Sequence, residues 1–588
     1  MTRPLRLTAA SIYLFLLANL AFADQDDRTV IKGQVNDAQQ TLVLNSSPPP
    51  ISDGWSVSEH QDDVKVAVDP GGEFRAEFVA SASFHRLSLA DRTVEVFAPP
   101  GSEIEVKIPG ADGAVTFSGQ HAAENRLLQA SLALLTDREK EISDDYRAFF
   151  AADYADFSRS VTQQQDEVRA TIAGLSRSDK LLHDDLRKRI DVEIQSAFDN
   201  LRLYYPGLYR EITEKSVPAE NDYFLAIAES RLNDPRALWS PRFIRFIDKI
   251  VQFESAGPAR FDHRDKPREK LLSRYQTIDS LSAAADIKNY LYGQMFNTFQ
   301  VNYGPADWER VLVQFEQDYP AHPLLATVKA QHREEMAERE RADRIEIFRQ
   351  VDGVDLEAHI FLPKGHKAGD QRPVLLTFHG GGWAIGTPEW SYTTAEKLAA
   401  QGMVAVSFEY RIADVHGSNM FNAIEDVKAA VRWARENAVR LGIDPDRVVA
   451  GGFSAGAHLA GASAILSADD PSEADSRPNA LILHSSTYNT GKSSFFEAMT
   501  DGQAKKVSLF HNVQSGLVPA ILFHGKYDYL APETEFLEFV GRMEELNNPF
   551  GHHLFEVGHF FRNDEARKRV DDLTLRFLTQ NGMLDPAE

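Results

Sequence analysis

The chain has 588 residues, 43% of them hydrophobic, no cysteine, and 63 lysines and arginines against 87 aspartates and glutamates, a formal charge of −24. That length exceeds what one hydrophobic core supports, so about three folding units are expected. The missing cysteines exclude disulfide stapling, thiol catalysis and thiolate metal sites, and the charge argues against nucleic acid or an anionic membrane as partner, since the sequence carries no compensating basic patch.

At the amino terminus Arg3 and Arg6 precede the apolar run 12–18, and Ala21-Phe22-Ala23 supplies small residues before Asp24. This pattern predicts a secretory signal over 1–23, cleaved from a chain exported to the periplasm or outside the cell. The apolar run is shorter than the roughly 20 residues a bilayer requires, so no stable membrane anchor is expected.

Short alternating runs fill 24–118: Val30 to Val35, Thr41 to Leu44, Val64 to Val68, Phe84 to Leu89, Val94 to Phe97 and Ile104 to Ile108, with turns at Asp69-Pro70-Gly71-Gly72 and Pro99-Pro100-Gly101. Period-two alternation broken by glycine and proline predicts a small antiparallel β-sandwich. The order Gly33-x-Val35, Val66-x-Val68-Asp69-x-x-Gly72-x-Phe74, Pro100-Gly101-Ser102-x-Ile104-x-Val106 and Phe117-Ser118-Gly119 resembles the amino-terminal sandwich of exported bacterial thiol-disulfide oxidoreductases. Without a Cys-x-x-Cys, no redox function follows from that resemblance.

Across 119–344 strand signals fade, and apolar residues recur at three- and four-residue spacing, as in Leu128-Leu132-Leu135 and Phe243-Phe246-Ile247-Ile250. This predicts an α-helical domain. Its aromatics, among them Tyr204, Tyr205, Tyr209, Tyr223 and Phe224, read as core packing ahead of a ligand groove. Glu334-Glu335 after His332 lacks the second histidine of a zinc motif, and 338–344 reads as a solvated charged face.

From Ile345 to Glu588 apolar strand candidates alternate with helical stretches: 374–378, 404–408, 448–450, 480–483, 520–523 and 554–557. Strands apolar throughout suit a parallel sheet buried on both faces, and the alternation predicts a doubly wound α/β domain with its site at the carboxyl ends of the strands.

Ester cleavage on such a sheet needs a nucleophile, a base, a group orienting the base, and donors for the oxyanion. Gly452-Phe453-Ser454-Ala455-Gly456 follows the run 448–450 and opens a small-residue helix, so Ser454 stands on a strand-turn-helix elbow where larger flanking residues would collide with the backbone. His379-Gly380-Gly381-Gly382-Trp383 follows the strand 374–378, and the N–H groups of Gly380, Gly381 and Ala455 are candidates for the oxyanion hole. Asp528 lies just past the strand 520–523 and is favoured over Glu533 as the orienting acid; Asp444 and Asp446 sit at the wrong end of the elbow strand and suit a turn. His559, beyond the strand 554–557, is favoured as base over His524, His552 and His553, because Ser454, Asp528 and His559 then fall in the chain order this fold uses.

Residues 345–578 resemble the hormone-sensitive-lipase-like, acetyl-esterase branch of the α/β-hydrolases. The resemblance is carried by the glycine loop at 379–383, Glu409-Tyr410-Arg411, Ile424-Glu425-Asp426-Val427, Leu441 to Arg447 and the elbow. It implies carboxylic-ester hydrolysis without metal or organic cofactor, with Ser454 acylated, His559 as base and then acid, and Asp528 holding the imidazole. Two departures stand out: Ala457 where the family often has a second glycine, and His559-Phe560-Phe561 around the base. The substrate stays open between a small ester and a decorated polysaccharide. A serine peptidase on the same fold and a non-catalytic binding protein are the alternatives.

Overall fold

We describe the protein from a computed structural model covering residues 28–35, 42–45, 64–80, 83–89, 92–109, 113–176, 183–213, 215, 232–256, 270–466, 476–492 and 494–585. The leader read at 1–23, Tyr223 and Phe224 lie outside these residues. The chain divides into two compact units, 1–253 with 281–291 and 254–280 with 292–588.

The first unit begins with two four-stranded sheets. One orders β4 (Glu73–Val79), β1 (Arg28–Val35), β7 (Glu103–Ile108) and β8 (Thr116–Gly119); the other orders β3 (Val64–Val66), β2 (Leu42–Asn45), β5 (Phe84–Leu89) and β6 (Arg92–Phe97). Ile31, Ile104 and Val106 from the first sheet meet Leu42, Leu87 and Val96 from the second in one core. The sandwich is not wholly antiparallel: β1 and β7 pair in parallel, Ile31 opposite Ile104. Alternation fixes which side chains face the core and leaves strand direction open, which is why the pattern could not supply it.

Helices Ala122–Asp144, Tyr154–Leu175 and Asp184–Thr213 follow. Phe84 and Phe97 from the second sheet join Leu128, Phe157, Leu186 and Tyr205 in their core. Tyr205 stacks on Phe157 at 3.9 Å, and Tyr204 and Tyr209 pack beside it, so these aromatics fill the core. Arg189 pairs with Glu95 of β6 at 2.6 Å and also with Glu193, satisfying charges that burial would otherwise penalise.

The second unit holds an eight-stranded sheet in the order β16-β15-β14-β13-β11-β12-β10-β9. Its strands are β9 (Arg344–Val351), β10 (Val354–Phe361), β11 (Arg372–Phe378), β12 (Val404–Phe408), β13 (Ile443–Phe453), β14 (Ala480–His484), β15 (Ala520–Gly525) and β16 (Phe550–Phe555). Strands β11 to β16 run parallel, and β9 and β10 form an antiparallel hairpin at one edge, with β10 antiparallel to β12. The last strand lies earlier than the apolar run 554–557 suggests, because His552 and His553 take part in the pairing. Helices Tyr392–Ala399 and Asp564–Gln580 share a core with one face of the sheet, where Tyr392, Leu398 and Phe577 meet Leu375, Val449 and Phe523. Helix Ala455–Ile465 is buried along its whole length.

Helices Pro305–Asp318 and Leu325–Glu338 also belong to this unit, ahead of the strand pattern. The Gly386 N–H donates to Asn302 O at 2.7 Å, and Tyr303 donates its hydroxyl to Asp414 at 3.0 Å, tying this helical segment to the loops that follow β11 and β12. Arg339 is mostly buried against Glu357 at 2.6 Å, so 338–344 is not simply a solvated face. No helix among the described residues is long and apolar enough to cross a membrane.

Candidate active site

Ser454 sits between the end of β13 and the buried helix that follows, at φ 55 and ψ −120. A non-glycine residue held at positive φ stores strain, and the surroundings hold it there: the Ser454 N–H donates to His484 O at 2.9 Å across to β14. The flanking glycines are a steric necessity. A Cβ on Gly456 would overlap the carbonyl oxygens of Phe378 and His379, and one on Gly452 would approach Phe378 O at 2.6 Å. The helix is therefore pressed against the end of β11, which brings the glycine loop to the elbow.

In that loop Gly381, Gly382 and Trp383 all have positive φ, at 108, 60 and 61. A Cβ on Gly380 would stand 3.4 Å from Ser454 Cβ and 3.0 Å from Phe453 Cδ1, so Gly380 lies directly against Ser454. Two buried side chains fasten the loop. His379 donates from Nδ1 to Gly380 O at 2.8 Å, and Tyr410, stacked on His379 at 4.3 Å, donates its hydroxyl to His379 O at 3.0 Å and lies 3.3 Å from Gly380 O. Burial pushes the His379 imidazole down to about 4, so it holds the loop as a neutral ring.

His559 Nδ1 and Asp528 Oδ2 are 2.6 Å apart and both side chains are buried. The other carboxylate oxygen of Asp528 accepts from the N–H groups of Leu530 and Ala531 at 2.9 and 2.8 Å, which fixes its direction. With Nδ1–H committed to Asp528, Nε2 keeps a lone pair, as a general base requires. Ser485 donates to His559 O at 3.0 Å, fixing the backbone at His559. The aromatic rings of Phe453 and Phe560 close on the imidazole at 4.9 and 5.0 Å.

The remaining candidates fall elsewhere. His524 donates to Ala531 O at 2.8 Å and stacks on Phe536 at 4.7 Å, behind Asp528. His552 and His553 lie in β16. Asp444 accepts from the Asp446 N–H at 2.9 Å within the first residues of β13, not in a turn as expected. Glu533 opens the helix Glu533–Glu545. Tyr410 is marked in the sequence only as part of the run Glu409-Tyr410-Arg411 and Ser485 not at all, since their work is visible only once the carbonyls they bind are placed.

A second polar cluster lies beside the loop. Asp307, Glu409 and His416 bring one ligand-type atom each within 4.8 Å of the others. His416 Nδ1 already accepts from the Ile412 N–H at 3.0 Å, and burial pushes this ring down to about 4. The neutral ring thus carries its proton on Nε2. Burial, with Glu389 and Glu357 nearby, pushes the Asp307 carboxyl up to about 7, and burial beside Asp307 raises Glu409 as well. The set is built to hold a proton.

A family model described as BD-FAE matches residues 358–487. The chain is 28% identical over 235 residues to esterase LipQ of Mycobacterium tuberculosis, a stretch covering 35% of this chain and 55% of that protein. It is 27% identical over 209 residues to endo-1,4-beta-xylanase B of Butyrivibrio fibrisolvens, covering 33% of each. The chain thus spans about half of the first of these relatives and a third of the second. Among solved structures, esterase 2 of Thermogutta terrifontis, recorded as phosphoramylated by tabun, is 31% identical, covering 42% of this chain and 96% of that one, with a TM-score of 0.40.

Proposed function

We propose that the protein is an exported serine carboxylesterase whose catalytic domain is 345–588, a reading supported by the match of residues 358–487 to the BD-FAE family model. The observation that carries the reading is the 2.6 Å contact of His559 with Asp528 on a unit whose strained elbow lays Ser454 against Gly380. Ser454 Oγ attacks the ester carbonyl while His559 Nε2 takes its proton. The N–H groups of Gly380, Gly381 and Ala455 receive the negative oxygen of the tetrahedral intermediate. The imidazolium then protonates the departing alcohol, leaving an acyl group on Ser454, and water activated by the same ring releases the acid. No metal or organic cofactor enters these steps.

The substrate is an ester of a small molecule or of a decorated polysaccharide. Exposed Tyr527 and Tyr529 flank Asp528 and offer flat faces on which a sugar ring can stack, and the match to a protein named endo-1,4-beta-xylanase B supports the polysaccharide form. Residues 1–23 are read as the export signal, which amino-terminal sequencing of the secreted chain tests by finding Asp24 first. Hydrolysis of p-nitrophenyl acetate and butyrate by the mature chain, lost in Ser454→Ala, tests the reaction. Turnover equal in both proteins refutes it.

A further inference from the structure

Beside the elbow strand the second unit has a partly open cavity of about 670 Å³, within the range of small-molecule sites. Its floor is the face of the sheet at Leu375, Gly451 and Ile482. Gly451 keeps that floor low, since a Cβ there would stand 3.2 Å from Ile482 and 3.6 Å from Leu375. Helix Asp564–Gln580 forms a wall with Thr574, and Phe453 and Phe560 close the upper end. The far end opens beside the ion pair of Lys397 and Asp571, 2.6 Å apart. Nothing in the catalytic steps uses this space.

Its upper wall is shared with the reaction centre. Phe453 packs against Gly380 on one side and His559 on the other, and Phe560 meets His559 edge-on at 5.0 Å and Phe453 at 5.9 Å. Both rings line the space and contact the imidazole, and Phe560 is partly exposed. We propose that this cavity receives the acyl chain of an ester held at Ser454, entering past Phe560, so that the enzyme accepts linear acyl groups of medium length. The inference rests on the esterase reading above. Most of the exposed lining surface is apolar, from Leu375, Leu398, Ile482 and Val570 among others, and the space reaches Phe453, the residue beside Ser454, although Thr377, His484 and Gln401 line it too. Each methylene taken from water in such a site contributes roughly fourfold to kcat/KM.

The test is kcat/KM for p-nitrophenyl acetate and p-nitrophenyl decanoate in the wild-type chain, Thr574→Phe, which fills the cavity from its helical wall, and Phe560→Ala, which opens its upper end. Thr574→Phe is expected to lower the decanoate-to-acetate ratio at least about tenfold, from the loss of two or more buried methylenes, with acetate turnover retained as the sign of an intact fold. Phe560→Ala is expected to raise the ratio. A ratio unchanged in Thr574→Phe while acetate is still cleaved overturns the proposal; if that variant loses acetate turnover, Val570→Phe on the same wall is read the same way. Should the wild-type chain cleave neither ester, the esterase reading fails first. Calorimetry of decanoate with Ser454→Ala then judges the cavity alone, with binding lost on adding Thr574→Phe in its favour and no binding against it.

Discussion

His559 and Asp528, 31 residues apart in the chain, meet at 2.6 Å between Nδ1 and Oδ2 at the ends of neighbouring strands. The carboxylate does not rely on the histidine for its position, because Leu530 and Ala531 donate to its other oxygen. Asp528→Asn therefore keeps the turn and loses the ionised acceptor for Nδ1–H. The expected result is a fall in kcat of about three to four powers of ten with little change in KM, measured on p-nitrophenyl butyrate.

The steric case for the elbow predicts unequal costs for two glycines. Gly456→Ala places a methyl in the carbonyls of Phe378 and His379 and is expected to cost about 2 to 4 kcal/mol of stability in urea unfolding of the second unit. Gly382→Ala has nothing within 4 Å of the new Cβ and meets only the strain of φ 60, about 1 kcal/mol. Equal losses would contradict the close approach of helix and strand.

Tyr410 holds the glycine loop through its hydroxyl and takes no part in bond making. Tyr410→Phe keeps the ring stacked on His379 and removes only the donor. We expect about a tenfold fall in kcat, stability lowered by about 1 kcal/mol and KM nearly unchanged. A change confined to KM would place the effect in binding instead.

Asp307 sets a pH dependence of stability. Its carboxyl is held up to about 7 by burial and by Glu389 and Glu357, so the folded state keeps a proton that the unfolded chain releases near the usual carboxylate value. Its stability contribution is full below about pH 4 and is lost as pH rises through about 7, up to about 4 kcal/mol in all. Asp307→Asn retains an acceptor for the Gly304 N–H, which now lies 3.0 Å from the carboxylate, and carries no charge. The variant is expected to melt higher than wild type at pH 8, with the two converging near pH 4. Parallel curves across that range would contradict the proton-holding role.

The parts legible in the sequence were those written locally. The elbow and the glycine loop announce themselves because several adjacent residues meet one steric demand, seen in the space around Gly452 and Gly456. Strand pairing was less legible: the β9–β10 hairpin and the parallel β1–β7 pair depend on partners distant in the chain. Arg339 looked solvated because its neighbours are charged, yet Glu357 draws it inward. The cavity under Phe453 was invisible, because an empty space between a sheet and two helices leaves no residue pattern.

The most direct test of the nucleophile is mass spectrometry of the mature chain after exposure to a fluorophosphonate, whose phosphorus only an activated serine attacks readily. The account predicts one phosphonyl adduct, on the peptide holding Ser454, absent in Ser454→Ala and strongly slowed in His559→Ala. An adduct on another residue, or none from a folded wild-type chain, would contradict it.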